Sequence, residues 1–316
     1  MKNRQLSLGI DTSNYKTSIA VVDNSGNILF NSQNFLYVKK GERGLRQSDA
    51  FFQHVQKLPS IIEEVLNIPG VREDIKVVSV STRPRPIAGS YMPVFTAGQA
   101  FARTLSLSLK VPLYETSHQE GHVEAVRFFS KFNVEKRFVS FHFSGGTTEA
   151  LLVDEDTKIF DIIGGTKDLA YGQVLDRIGV TLGYSFPCGN KLDQLASINE
   201  EKSQILSKIK VQDCFVNLSG IETQTQRSIG RVPNDHLVNE LFEKIAKSIL
   251  DMTIQISEKY GIYKFLYAGG VSCSKYIRSY LENNIPEDIE IIFGDPELSS
   301  DNAVGVAILG GKDIWL

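Results

Sequence analysis

The sequence predicts an α/β fold built from two copies of one unit. Three observations carry this prediction. A strand, a polar turn and two further strands open the chain over residues 6–32. The same succession returns over residues 138–163. After each opening, helical and strand patterns alternate with no low-complexity stretch between them. Hydrophobic residues make up 42% and charged residues 22% of 316 positions, enough apolar material for one large or two ordinary domains.

In the first half, residues 6–10 read as a strand, followed by the turn Asp11-Thr12-Ser13-Asn14 and a strand over 17–23. Asn24-Ser25-Gly26-Asn27 turns the chain into a third strand over 28–32. Phe51, Phe52, Val55, Leu58, Ile61, Ile62, Val65 and Leu66 recur at helical spacing, so 48–66 is expected to be a helix that Pro59 kinks or splits. Residues 77–80 form a short buried strand. The two prolines of Thr82-Arg83-Pro84-Arg85-Pro86 require an irregular loop, and 96–109 is a helix with small residues on one face.

In the second half, strands are expected over 138–143, 149–154 and 158–163, with Ser144-Gly145-Gly146-Thr147-Thr148 as the turn. Helices follow near 173–179 and 239–260, and a strand over 264–268 runs into Gly269-Gly270. A small-residue run over 303–309 looks like a closing helix. The division this suggests is an N-terminal lobe of 1–117, closed by 300–316, and a C-terminal lobe of 118–299, with a cleft between them.

The net charge of −3 gives no overall positive field to attract nucleic acid, so any RNA contact needs a local basic patch or a partner protein. Cys188, Cys214 and Cys273 are the three cysteines, far apart and without a CxxC pair, which argues against a disulfide framework and for a reducing, cytoplasmic setting. The opening MKNRQLSLGIDTS lacks the apolar core and cleavage site of a signal peptide. No window carries the roughly 18 apolar residues of a membrane span.

The sharpest local signal is His118-Gln119-Glu120-Gly121-His122. Residues four apart share a helix face, so two imidazoles can bind one Zn²⁺ or Fe²⁺ with a third ligand from elsewhere. The plain alternative is two solvated surface histidines. The order is not HExxH, so a zinc protease would lack its general base at the expected place. Asp301, in Ser299-Ser300-Asp301-Asn302, is a candidate third ligand or an N-cap of the closing helix. Ser144-Gly145-Gly146 between two strands, and Gly269-Gly270 between a strand and a helix, are turns whose backbone amides suit phosphate oxygens. Each alone is usually an ordinary turn. Two such hairpins together match the layout of the actin-like, sugar-kinase and Hsp70 ATPase fold, with two ribonuclease-H-like lobes.

Read in order, the chain shows Leu8-Gly9-Ile10-Asp11-Thr12-Ser13, His118-x-Glu120-Gly121-His122, Ser144-Gly145-Gly146, the stretches 168–176 and 186–193, Leu218-Ser219-Gly220, Gly269-Gly270-Val271 and Asp301-Asn302. This succession resembles the tRNA N6-adenosine threonylcarbamoyltransferase family, whose older names are glycoprotease and O-sialoglycoprotein endopeptidase. The resemblance runs from about residue 6 to 310. It implies transfer of a threonylcarbamoyl group from an AMP adduct to N6 of the adenosine next to the anticodon, together with partner proteins. It implies one divalent metal, iron or zinc, on His118, His122 and Asp301. Nucleotide contacts map onto Ser144, Gly145, Gly146, Asp176, Gly189, Asp193 and Ser274, and a dimer contact onto the N-terminal lobe. No residue is assigned as a catalytic acid or base.

Several positions depart from the family pattern. Thr147 stands where the SGGHT turn has histidine. Gln173 and Arg177 replace the glutamate and lysine of a GEAFDK-type segment. Glu222 replaces the lysine of SGLKT, and Ser274 the asparagine of GGVAAN. Arg83 and Arg85 occupy a loop that is Gly-Pro-Gly in the family, and either can pair with an anion. These changes open two other readings: a paralogue that carbamoylates a different acceptor, or a non-catalytic nucleotide-binding partner of the true transferase.

Overall fold

A computed structural model of the chain describes residues 4–13, 15–39, 45–155, 159–198, 201, 203–299 and 302–315. The first half holds β1 (Leu6–Thr12), β2 (Lys16–Asp23), β3 (Ile28–Phe35), α1 (Gln47–Leu66), α2 (Val71–Asp74), β4 (Ile75–Arg83), α3 (Phe95–Leu109), β5 (Leu113–Ser117) and α4 (His118–Phe128). Then come β6 (Arg137–Phe143), β7 (Thr148–Asp154), β8 (Ile159–Thr166), α5 (Tyr171–Thr181), α6 (Gly189–Ala196), β9 (Phe215–Val216), α7 (Ser219–Ser228) and α8 (Asn234–Tyr260). The chain closes with β10 (Lys264–Ala268), α9 (Lys275–Asn284), β11 (Glu290–Phe293), α10 (Pro296–Ser299) and α11 (Val304–Trp315).

Contacts divide the chain into two units. One comprises Met1–Val38, Gly44–Lys131 and Glu297–Leu316, the other Lys39–Arg43 and Phe132–Pro296. The first sheet has the order β3-β2-β1-β4-β5, and the second β11-β10-β6-β7-β8-β9. In both, the first three strands form an antiparallel meander, and two later strands add in parallel beside the first. Apart from the short β9, the second sheet repeats the topology of the first, as the doubled opening pattern predicts. The boundary falls after Lys131 rather than after Ser117. The reason is α4, which packs against α11 through Ala125, Val304, Ala307 and Ile308 in one apolar cluster of the first unit.

Alternation along the central strands sorts the first unit into two layers. Leu6, Leu8 and Ile10 of β1, with Val78 and Val80 of β4, pack with Leu58, Ile61, Ile62 and Val65 of α1 and Ala102 of α3. The residues between them are small or polar: Ser7, Gly9 and Asp11 of β1, Ser79 and Ser81 of β4. That face meets α11 at very short range. A Cβ at Gly9 would lie 2.6 Å from the Ala307 nitrogen, and one at Gly310 would lie 1.8 Å from the Ser79 Oγ. The helix over 47–66 is unbroken despite Pro59, so the expected split does not occur. Pro59 is exposed, and water can serve the carbonyl its ring leaves without a donor.

The second unit buries its sheet under α8, whose Leu237, Leu241, Phe242, Ile245, Ile249, Met252 and Ile256 join the core of Phe141, Phe143, Phe265 and Tyr267. Asp168 secures the end of β9 and the start of α7. Its carboxylate accepts from the backbone amides of Leu218 at 2.7 Å, Ser219 at 3.0 Å and Leu169 at 2.6 Å. Burial alone would raise its pKa, but the amides outweigh that and hold it down at about 2.

Two predictions follow from this packing. Gly305 of α11 crosses α4 so closely that a Cβ would lie 1.9 Å from the Gly121 carbonyl oxygen. Gly305→Ala should therefore destabilise the protein by about 1–3 kcal/mol in urea unfolding. Gly220→Ala, where a Cβ would meet open space on α7, should be neutral or mildly stabilising. Asp168→Asn should lower the urea midpoint at pH 7. Because the folded carboxyl titrates below its unfolded value of about 3.9, the advantage of the wild type is complete above that value. It should vanish as pH falls through about 2.

Candidate functional site

The parallel strands of the first unit end in polar residues: Asp11-Thr12 on β1, Ser81 to Arg83 on β4 and Ser117 on β5. In open α/β sheets, ligands bind outside the carboxyl ends of the strands. Helix α4 starts directly from β5. Ser117 Oγ accepts from the Glu120 amide at 3.2 Å, and Glu120 Oε2 accepts from the Ser117 amide at 2.7 Å. This reciprocal capping box makes His118 the first residue of the helix. His122 lies one turn on, and the two Nε2 atoms are 3.1 Å apart with their rings edge to face. The pair is not solvated: His122 is 3% exposed, and the His118 side chain 14%. Phe95 of α3 lies beside the His118 ring, with centroids 5.9 Å apart.

His118 Nδ1 points at Asp11 Oδ1, 2.9 Å away. Asp11 is wholly buried, and its Oδ1 also accepts from Ser81 Oγ. The buried Oδ2 has no hydrogen-bond partner among the described residues. Sequence reasoning took Asp11-Thr12-Ser13 for an ordinary turn and missed this role. The signal available was a carboxylate at the end of a strand whose other face, Leu6, Leu8 and Ile10, is wholly apolar. The expected third ligand, Asp301, lies outside the described residues.

Arg83 and the following loop lie against the first turn of α4. Arg83 Nη2 is 3.8 Å from Glu120 Oε2, and the Pro84 carbonyl accepts from the Gln119 amide at 3.1 Å. The proline-rich loop is thus tied to the helix that carries the histidines.

In the second unit, the residues expected to bind nucleotide lie along a run of helix starts. The Ser144 turn closes on itself: Ser144 Oγ accepts from the amides of Gly146 at 3.3 Å and Thr147 at 3.0 Å. Those two amides are therefore engaged within the turn, and the open cradle expected there is partly closed. The turn rests on Gly172, where a Cβ would lie 2.5 Å from the Ser144 carbonyl. Thr148 Oγ1 accepts from the Tyr171 amide at the start of α5. Asp176, one turn beyond Gly172, accepts from the Cys188 amide at 2.7 Å at the start of α6. Burial raises the Asp176 pKa to about 6, despite that hydrogen bond. Gly189 opens α6, with free space where a Cβ would stand. Asp193, one turn on, accepts from Ser274 Oγ at 2.5 Å and from the amides of Lys275 and Tyr276 at 2.9 and 3.1 Å. Ser274 in turn caps α9 by accepting from the Ile277 amide at 3.1 Å.

Two of the departing positions meet each other. Arg177 Nη1 lies 3.9 Å from Glu222 Oε1, which also accepts from Gln226 Nε2 at 2.6 Å. The charge reversed at 222 is balanced within the unit.

A family model described as tRNA N6-adenosine threonylcarbamoyltransferase matches residues 29–308. The enzyme of that name from Chlamydia caviae is 29% identical over 330 residues, covering 98% of this chain and 92% of its own length. Its namesake from Thermosipho melanesiensis is 28% identical over 312 residues, covering 96% and 94%. Among solved structures, HypF from T. kodakarensis superposes with a TM-score of 0.64 at 14% identity over 98% of this chain. The chain spans 47% of HypF. A ROK family glucokinase from Streptomyces griseus gives 0.53 at 13% identity, covering 97% of this chain and 99% of the kinase. The structural likenesses establish the fold, that of the actin-like, sugar-kinase and Hsp70 ATPase group. With the family match running from the first meander into the closing helix, the chain belongs to the tRNA N6-adenosine threonylcarbamoyltransferase family.

Proposed function

We propose that this chain is a transferase that moves a threonylcarbamoyl group from its AMP adduct to N6 of a tRNA adenosine next to the anticodon. One divalent metal, iron or zinc, is held by His118, His122 and Asp301. The observation that carries the reading is the convergence of the two Nε2 atoms, 3.1 Å apart on α4, in a chain of this family. One ion with metal–nitrogen bonds of about 2.0–2.1 Å can touch both atoms. The wholly buried Asp11 carboxylate behind them, whose Oδ2 has no hydrogen-bond partner among the described residues, adds negative charge that favours a cation there. Two imidazoles and a carboxylate suit iron and zinc alike.

When bound, such an ion polarises a carbonyl and so helps a poor electrophile accept an amine. The chain supplies the rest. The capping box and Asp11 fix the histidine rings. Arg83, drawn in by Glu120, offers a cation for the anionic part of a donor. In the second unit, the Gly145 region of the Ser144 turn, Gly189 and the remaining lone pairs of Asp176 and Asp193 are the places for an adenine nucleotide. Its amides are partly committed to Ser144 Oγ and its carboxylates to helix caps, so the affinity should be modest.

Phe51, Phe52 and Val55 of α1, with Phe35 of β3 and Tyr37, are exposed apolar residues of the first unit. They offer a face for a partner protein, one of the two ways, with a local basic patch, in which a chain of net charge −3 can engage tRNA. No helix of the described residues is long and apolar enough to cross a membrane. A tRNA substrate places the protein in the cytoplasm.

A second reading is a carbamoyl-type transferase with another acceptor. The Arg177–Glu222 pair favours it, because it fills with a neutral pair a place where the family carries two lysines.

Two measurements test these readings. Elemental analysis of purified protein should find about one iron or zinc per chain in the wild type and none in His118→Ala/His122→Ala. Equal metal in both would remove the basis of the proposal. In a strain depleted of its own threonylcarbamoyltransferase, this chain with its partners should restore modified tRNA, and the double variant should not. Failure to rescue, with metal and nucleotide still bound by the purified chain, would move the assignment to the second reading.

A further inference from the structure

We infer that Asp11 is a positioning residue: its carboxylate holds the His118 ring with the proton on Nδ1 and so presents a bare Nε2 to the metal position. The inference rests on the metal reading above and concerns a residue that reading leaves out. The two groups are 2.9 Å apart, Asp11 is wholly buried and the His118 side chain nearly so. An ionised carboxylate only accepts, so the imidazole nitrogen facing it must carry the proton. In the neutral ring the proton can sit on one nitrogen alone. Nε2, which faces His122 Nε2 at 3.1 Å, is then the lone-pair atom.

The arrangement is held from both sides. Asp11 falls on the α4 face of β1 because Leu8 and Ile10 take the other face. Ser81 Oγ donates to the same Oδ1 and fixes the carboxylate plane. His118 cannot slide along α4, because Ser117 and Glu120 cap the helix at that residue. Turning the ring over would leave the carboxylate with Ser81 alone, and its Oδ2 already has no hydrogen-bond partner among the described residues. Losing a donor to a buried carboxylate is costly, so the buried charge sets the tautomer. A carboxylate behind a ligating histidine also raises its basicity, and loss of such a partner typically weakens metal binding about 10–100-fold.

The test compares wild type, Asp11→Asn, Ser81→Ala and His118→Ala/His122→Ala by titrating Zn²⁺ against a chromophoric chelator. Long-range ¹⁵N–¹H spectra of the metal-free imidazoles are recorded beside it. Asp11→Asn should keep the wild-type circular dichroism and bind Zn²⁺ about 10–100-fold more weakly. Ser81→Ala should fall between it and the wild type. Metal-free wild type should show His118 protonated at Nδ1 and bare at Nε2. A folded Asp11→Asn protein with unchanged affinity, or a wild-type His118 protonated at Nε2 alone, would overturn the inference. If the wild type itself takes up no Zn²⁺, the metal reading fails, and the tautomer spectra decide the role of Asp11 without it. If Asp11→Asn does not fold, Ser81→Ala and the wild-type spectra decide.

Discussion

A carboxylate with none of its surface exposed, at the end of a central strand, constrains everything near it. Taking such a group out of water costs several kcal/mol unless donors or a cation surround it. Asp11 meets this demand with Ser81 from the next strand and His118 from α4. The supply of donors depends on geometry set far from the site. Small residues on one face of β1 and β4 let α11 lie almost on the sheet, and Gly305 lets α4 lie almost on α11. Helix α4 leaves β5 at its capping box and lies against α11, and its first residue stands 2.9 Å from the strand-borne carboxylate.

The second unit answers a different constraint. A helix start leaves backbone amides without partners, and a buried one cannot leave them to water. Four helices of this unit take acceptors from side chains: Thr148 for α5, Asp176 for α6, Asp168 for α7, Asp193 with Ser274 for α9. Successive helices are thereby linked, since each of α5 and α6 carries the carboxylate that caps a later one. Residues that a motif comparison marks for a nucleotide thus have architectural work first. The two uses are compatible, because a carboxylate has about four acceptor sites and these caps occupy only part of them.

Much of the fold was legible because its signals are periodic and local. The two meanders show alternation and turn residues, and their repetition tells of two like units. The helix over 47–66 was legible as a helix. Its continuity was not, since the penalty of Pro59 depends on which side of the helix faces water. The unit boundary was misplaced for a similar reason: α4 follows a strand of its own sheet, and nothing in its sequence says that it docks on α11. The histidine pair was legible from spacing, and Ser117-x-x-Glu120 was a legible cap that went unread. The Asp11–His118 contact joins positions 107 apart, and no local pattern reports it. Arg177 and Glu222 are the same case, two isolated oddities in sequence that the fold places side by side.

That pairing changes what the departures mean. Reversing a charge in a half-buried place is costly if nothing answers it, and a chain drifting without a site to maintain would accumulate such unanswered charges. Here several departing residues have a local partner. Glu222 has Arg177 and Gln226, Ser274 has Asp193, Thr147 donates its amide to Ser144, and Arg83 has Glu120. Glu222 sits in a small network with Arg177 and Gln226, and Ser274 caps α9 while donating to Asp193. In the first unit, meanwhile, the buried carboxylate and the two convergent imidazoles form a donor set with little purpose in a merely structural role. An apolar trio would pack there without the cost of burying a charge. On the proposed reading the first unit offers a donor set that fits a cation, while the second unit balances the charge of Glu222 with Arg177 within itself.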